Sequence, residues 1–233
     1  MVSRKKRFQR HIYEISGAAM LKERLRAKNR RNAVFIWIPK SAGSSIYSTL
    51  NAPKLKEIKL VKYRFPNKGI VTFGHMDYAE LVNKHYVSKE FDESAFKFAI
   101  VRNPYDRAIS LFSYLKKREM IPQIESFLTF CRRLREDGCE PIGLYNLDGI
   151  SQCNPQVRWV EKINMDFVGK LENIGDDMKF VFSELGIRER KVPHKNITAH
   201  ADYQSYYCKE SKTIIEDFYR EDFEAFNYNF EEF

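Results

Sequence analysis

The chain has 233 residues, of which 43 % are hydrophobic and 14 % aromatic, and this excludes a disordered polymer even at 30 % charge. No stretch approaches the ~20 apolar residues of a membrane-crossing helix. The net charge of +9 sits in residues 1–32, which hold eleven Lys and Arg against Glu14 and Glu23, while the other 201 residues balance at 29 of each sign, so a uniformly basic nucleic-acid-binding face is not implied.

The length suits one domain over residues 33–233 behind a basic arm over 1–32. The arm begins with positive charge, but Ile12 to Leu21 includes Glu14, Ser16 and Gly17, so no secretory h-region follows. It reads as a solvated helix or tail before the fold, as a contact for an anionic partner or membrane surface, or as a targeting peptide. Next, Ala33 to Ile38 is a continuous apolar run, as expected of a strand buried on both faces. A loop with Gly43 leads into a helix over 44–50, stopped at Asn51-Ala52-Pro53. Ile70 to Phe73 gives a second strand, and Asp77 opens a helix to about Lys84. Phe96 to Val101 gives a third strand. Asn103-Pro104 then supplies a cap residue and a first-turn proline. The helix that follows puts Ala108, Leu111, Phe112 and Leu115 on one face.

Beyond residue 120 the pattern is mainly helical. Helices are expected over 123–136, from Asn154-Pro155 past Trp159, over 176–185 before Gly186, and over 209–226. Asp166 to Gly169 reads as a fourth strand, and 192–201 as a polar loop. Cys131, Cys139, Cys153 and Cys208 lack metal-site spacing and read as reduced thiols of a cytoplasmic protein, with a Cys131–Cys139 bridge across Gly138 left open. Alternating strands and helices predict an α/β fold with a mostly parallel central sheet and a helix-rich C-terminal half.

Two segments carry phosphate chemistry. Trp37-Ile38-Pro39-Lys40-Ser41-Ala42-Gly43-Ser44-Ser45 joins a buried strand to a helix through small residues. That geometry aims backbone N–H groups and a helix N-terminus at one point, where Lys40 adds charge and Ser44 and Ser45 add hydroxyls. An ordinary strand-to-helix turn with a surface lysine is the alternative. No Walker A pattern is present. The second segment runs from Val101-Arg102-Asn103-Pro104 to Ser110. Arg102 leaves a strand end, where open parallel sheets bind ligands, and Arg102 with Ser110 suits a second phosphate. The alternative is a local salt bridge from Arg102 to Asp106.

Ile38-Pro39-Lys40-Ser41-Ala42-Gly43-Ser44-Ser45 resembles the 5′-phosphosulfate loop of sulfotransferases. Val101 to Ser110 resembles their 3′-phosphate motif, with Arg and Ser eight positions apart. The nearest resemblance is to carbohydrate sulfotransferases of the family-2 type, which include heparan sulfate 2-O-sulfotransferases. Phe73-Gly74-His75 is similar to that group's Gly-His motif, and Phe167 to Glu172 and Tyr219-x-x-Asp222-Phe223-x-x-Phe226 fit as well. The resemblance spans about residues 33–230 and implies a P-loop-like three-layer fold. The implied donor is 3′-phosphoadenosine 5′-phosphosulfate (PAPS). Lys40, Ser41, Ala42, Gly43, Ser44, Ser45, Arg102 and Ser110 would bind it, without a metal. His75 would be the base and Lys40 would act on the leaving group, releasing adenosine 3′,5′-bisphosphate (PAP). An ordinary imidazole makes the rate rise through pH 6–7. The acceptor hydroxyl is expected on a glycan, and the enzyme is expected to be soluble, lacking the anchor of Golgi relatives. A P-loop nucleotide kinase or phosphotransferase, and a noncatalytic nucleotide- or glycan-binding module, are the competing readings.

Overall fold

A computed structural model describes residues 31–50, 55–57, 69–138, 150–193 and 203–229. Five strands form one sheet: β1 (Ala33–Ile36), β2 (Leu55–Glu57), β3 (Ile70–Thr72), β4 (Phe96–Val101) and β5 (Phe167–Lys170). Their order is β2-β3-β1-β4-β5, and every pairing is parallel. Ala33 aligns with Ile70 on one side and Phe96 on the other, which makes β1 the central strand. Every residue of β1 and β4 is buried, Lys97 of β4 included, as expected of a sheet covered on both faces.

Two helical layers provide that cover. Ala33, Phe35, Phe96, Phe98 and Ile100 face α1 (Gly43–Leu50) and α6 (Ile174–Glu184), through Ile46, Leu50, Met178, Val181 and Phe182. Val34, Ile36, Val71, Ala99 and Val101 face α2 (Tyr78–Asn83), α3 (Lys89–Ser94) and a 3₁₀ turn at Gln156–Trp159. A third cluster packs α4 (Pro104–Lys117), α5 (Phe127–Asp137) and α7 (Lys209–Phe218), with α8 (Arg220–Phe226) closing the chain. This is the three-layer α/β arrangement with a helix-rich C-terminal half, and all four face residues expected on α4 are buried.

Several local expectations differ from the structure. The 3₁₀ turn replaces the expected helix after Asn154-Pro155. α5 starts at Phe127, where the Ser126 hydroxyl accepts from the Thr129 amide, because that cap outcompetes the preceding turn. The last helix breaks at Tyr219, whose buried hydroxyl donates to the Cys153 carbonyl at 2.9 Å. Strand β2 and helix α3 carry too few apolar residues to be read from pattern. Arg31 and Asn32, counted with the arm, pack on the fold: Arg31 pairs with Glu184, and the Asn32 carbonyl accepts from the Phe96 amide. The expected stop at Asn51-Ala52-Pro53, Cys139 and residues 194–201 of the expected polar loop lie outside the described residues.

Candidate active site

The chain leaves β1 at the point where its neighbours run in opposite directions through the sequence, β3 before it and β4 after it in sheet order. Such a switch point opens a crevice at the carboxyl ends of the strands. The turns after β1, β3 and β4 meet there and line a cleft of about 280 Å³. Lys40, Ala42, Gly43, Ser44, Ser45, His75, Arg102 and Ser110 all line it. Ser41 does not. It is buried, and its hydroxyl donates to Gln156 Oε1 at 3.0 Å, so it braces the loop from behind.

The β1–α1 turn is built from unusual backbone. Lys40 and Ala42 have φ of 68° and 56°, the left-handed region that non-glycine residues seldom adopt. The Ala42 carbonyl then accepts from the Ser45 and Ile46 amides and starts α1. Gly43 is needed for a different reason. The Trp37 indole, stacked on Tyr47 at 5.5 Å, lies where a Cβ of residue 43 would be. The turn thus presents the N-terminus of α1 to the cleft, and Lys40 Nζ stands 4.3 Å over the Tyr114 ring. Burial, with Arg102 and Arg107 nearby, lowers the Lys40 pKa to about 8.

His75 follows β3 and Gly74, whose φ of 61° turns the chain into the cleft. Its Nδ1 lies 2.8 Å from the Trp37 carbonyl oxygen. A carbonyl only accepts, so Nδ1 carries the proton and Nε2 is the basic nitrogen. Trp37 meets the imidazole edge-on at 5.3 Å. Burial, opposed by the Trp37 hydrogen bond and assisted by Lys40 and Arg107, lowers the His75 pKa to about 4. The ring is therefore neutral at pH 7, and the expected titration at pH 6–7 moves down.

Arg102 stands at the end of β4. Its Nε donates to Asp106 Oδ2 at 2.7 Å, so the local salt bridge foreseen as the alternative exists, yet the residue still lines the cleft with Ser110. Asn103 caps α4, its Oδ1 accepting from the Tyr105 amide, and its own amide donates to Glu172 Oε1.

Four residues of this site had no role in the sequence reading. Gln156 makes hydrogen bonds with both amide atoms: Oε1 accepts from Ser41 Oγ and from the Arg102 amide, and Nε2 donates to the Arg102 carbonyl and to Asp222 Oδ2. Asp222 is fully buried, accepts from the Val157 amide, and has its pKa raised by burial. Arg107 is fully buried and donates to the carbonyls of Pro39 and Gln152. A charged residue one turn before Leu111, on the buried face of α4, is the signal that could have found it. Gln152 is the fourth. Trp159 is core, its indole 3.5 Å from the His75 carbonyl, and Arg158 is exposed and paired with Glu161 and Glu221. Among the described residues no cluster of His, Cys, Asp and Glu suits a metal ion.

A parallel sheet whose central strand ends in a strand–loop–helix turn, with a cationic cleft at its switch point, defines a P-loop-like α/β protein. A model of the sulfotransferase family (Sulfotransfer_2) matches residues 23–229, so the chain belongs to the sulfotransferase family. The fold is similar to the crystal structure of mouse sulfotransferase SULT7A1 complexed with PAP, with a TM-score of 0.55 at 15 % identity over 83 % of this chain and 85 % of that one. A sulfotransferase from Alicyclobacillus acidocaldarius has a TM-score of 0.48 at 17 % identity, over 85 % of this chain and 99 % of that chain. No curated protein sequence matches this one.

Proposed function

We propose that the chain transfers a sulfuryl group from PAPS to an acceptor hydroxyl of a carbohydrate, the acceptor class being taken from the motif resemblance to carbohydrate sulfotransferases. The observation that carries this reading is the convergence of Lys40, His75, Arg102 and Ser110 on one cleft from three different turns. The residues fit the donor. Arg102 and Ser110 offer charged and hydroxyl donors to a 3′-phosphate, while the α1 N-terminus with Ser44 and Ser45 suits the 5′-phosphosulfate. Leu171, Ile174, Val192 and Pro193 give the cleft an apolar end for the base.

In the reaction, His75 Nε2 takes the acceptor proton while the acceptor oxygen bonds to sulfur. The bond from sulfur to the 5′-phosphate oxygen breaks, and its electron pair stays on that oxygen, where Lys40 and the loop amides neutralise it. Arg118 lines the cleft and Lys117 precedes it, which suits an anionic glycan as acceptor. Among the described residues Cys131, Cys153 and Cys208 are not paired with one another. Burial raises the Cys131 pKa to about 12. No helix among the described residues is long and apolar enough to cross a membrane.

The test compares nucleotides by thermal shift and then transfer of ³⁵S from labelled PAPS to a panel of glycans. PAP should raise the melting temperature where ADP with Mg²⁺ does not. Stabilisation by ADP with Mg²⁺ alone would favour a phosphotransferase instead.

A further inference from the structure

The wall of the cleft beside Lys40 contains buried polar atoms that the fold leaves without partners. Gln152 is fully buried and lines the cleft, yet among the described residues neither its Nε2 nor its Oε1 has a hydrogen-bond partner. Arg107 Nη1 is in the same condition. The two residues already touch, since Arg107 Nη2 donates to the Gln152 carbonyl at 2.9 Å. Burying such groups unpaired is costly, so their retention calls for a ligand.

The backbone around Gln152 is held firmly. The Ser151 hydroxyl accepts from the Cys153 amide, and the Cys153 carbonyl accepts from Tyr219. Arg107 Nε, for its part, donates to the Pro39 carbonyl at 3.1 Å, one residue before Lys40. Gln152 is thus one guanidinium away from the residue assigned to the leaving group.

The unpaired atoms are two donors and one acceptor. If Gln152 Oε1 takes Arg107 Nη1, one donor is left, Gln152 Nε2, and it needs an oxygen that accepts. A sulfuryl group offers only accepting oxygens, and it must lie between Lys40 and His75 for transfer. We propose that Gln152 Nε2 donates to the sulfuryl group of PAPS while Oε1 is held by Arg107, which makes the pair a clamp on the group being transferred. Arg107 also lies close enough to Lys40 and His75 to help lower the pKa of both. This inference rests on the PAPS reading above.

The two nucleotides PAPS and PAP differ by the sulfuryl group alone, so calorimetric titration of both onto the full chain isolates the contact. For Gln152→Leu, PAPS affinity should fall roughly tenfold to a hundredfold, the usual effect of losing a hydrogen bond to a charged group, with PAP within about twofold of wild type. Gln152→Glu is nearly isosteric and keeps an acceptor for Arg107. It should hold its melting temperature and still lose PAPS more than PAP, which tests the idea even if the leucine variant fails to fold. Equal loss of both nucleotides would assign Gln152 to the nucleotide body, and no change in either would remove it from the site; each result overturns the proposal. Wild-type protein that binds neither nucleotide would overturn the PAPS reading itself, before any variant is compared.

Discussion

Acidification provides a quantitative test of how His75 is held. Its pKa is about 4 in the folded protein, against an ordinary 6.5. The folded state therefore binds fewer protons than the unfolded state between these values, and stability rises with pH across that window. It is fully present above pH 6.5 and drains away as pH falls toward 4. At pH 4.5 the unfolded imidazole is almost wholly protonated and the folded one only in part, which costs about 2–3 kcal/mol relative to pH 7.5. His75→Asn lacks this titration and can still donate to the Trp37 carbonyl. Urea unfolding of both proteins at pH 7.5 and 4.5 gives the difference directly, because every other group titrates in both. Wild type should lose about 2–3 kcal/mol more than the variant on acidification. Equal losses would refute a buried neutral imidazole. With His75 as base, the acid limb of kcat/KM for the free enzyme should also lie near pH 4, below the 6–7 of an ordinary histidine.

Lys40 should set the opposite limb. With a pKa of about 8 it loses its charge as pH rises through 8, so turnover should fall there. Lys40→Arg should shift that fall upward in a pH–rate profile, and Lys40→Ala should lower kcat with little change in melting temperature. Arg102→Ala should weaken PAP by about 1.5–3 kcal/mol in calorimetry and leave AMP nearly unaffected, since AMP has no 3′-phosphate. Gly43→Ala should destabilise the fold by roughly 1–3 kcal/mol, because the new methyl collides with the Trp37 indole. Adding Trp37→Leu should recover much of that loss in a denaturation experiment.

The central part of the fold was legible because its physics is local. β1 is a continuous apolar run and β4 is apolar but for Lys97, and Asn103-Pro104 marks the start of α4 with a cap and a preset φ. The phosphate motifs were legible for the same reason, since each turn is made of adjacent residues. β2 was not, because three residues, two of them charged, become a strand only beside β3. Nor were Gln152, Gln156 and Asp222. Their partners lie 45 to 115 residues away, and nothing in the sequence near a buried carboxamide records a distant bond. The His75 titration was missed because desolvation belongs to the packed cleft.

Gln156 has a consequence for how much chain the site requires. Both phosphate motifs are complete by Ser110, but the amide that joins Ser41 to Arg102 comes later, and it is anchored to Asp222 on the final helix. A ribosome that has released the two motifs has therefore made their residues without the fastener between them. A fragment ending near residue 150 would still be recognised by its motifs, while lacking the geometry that gives them meaning. The same dependence makes the C-terminus a poor place for a tightly joined fusion partner, because strain on α8 reaches the phosphate loops through two side chains.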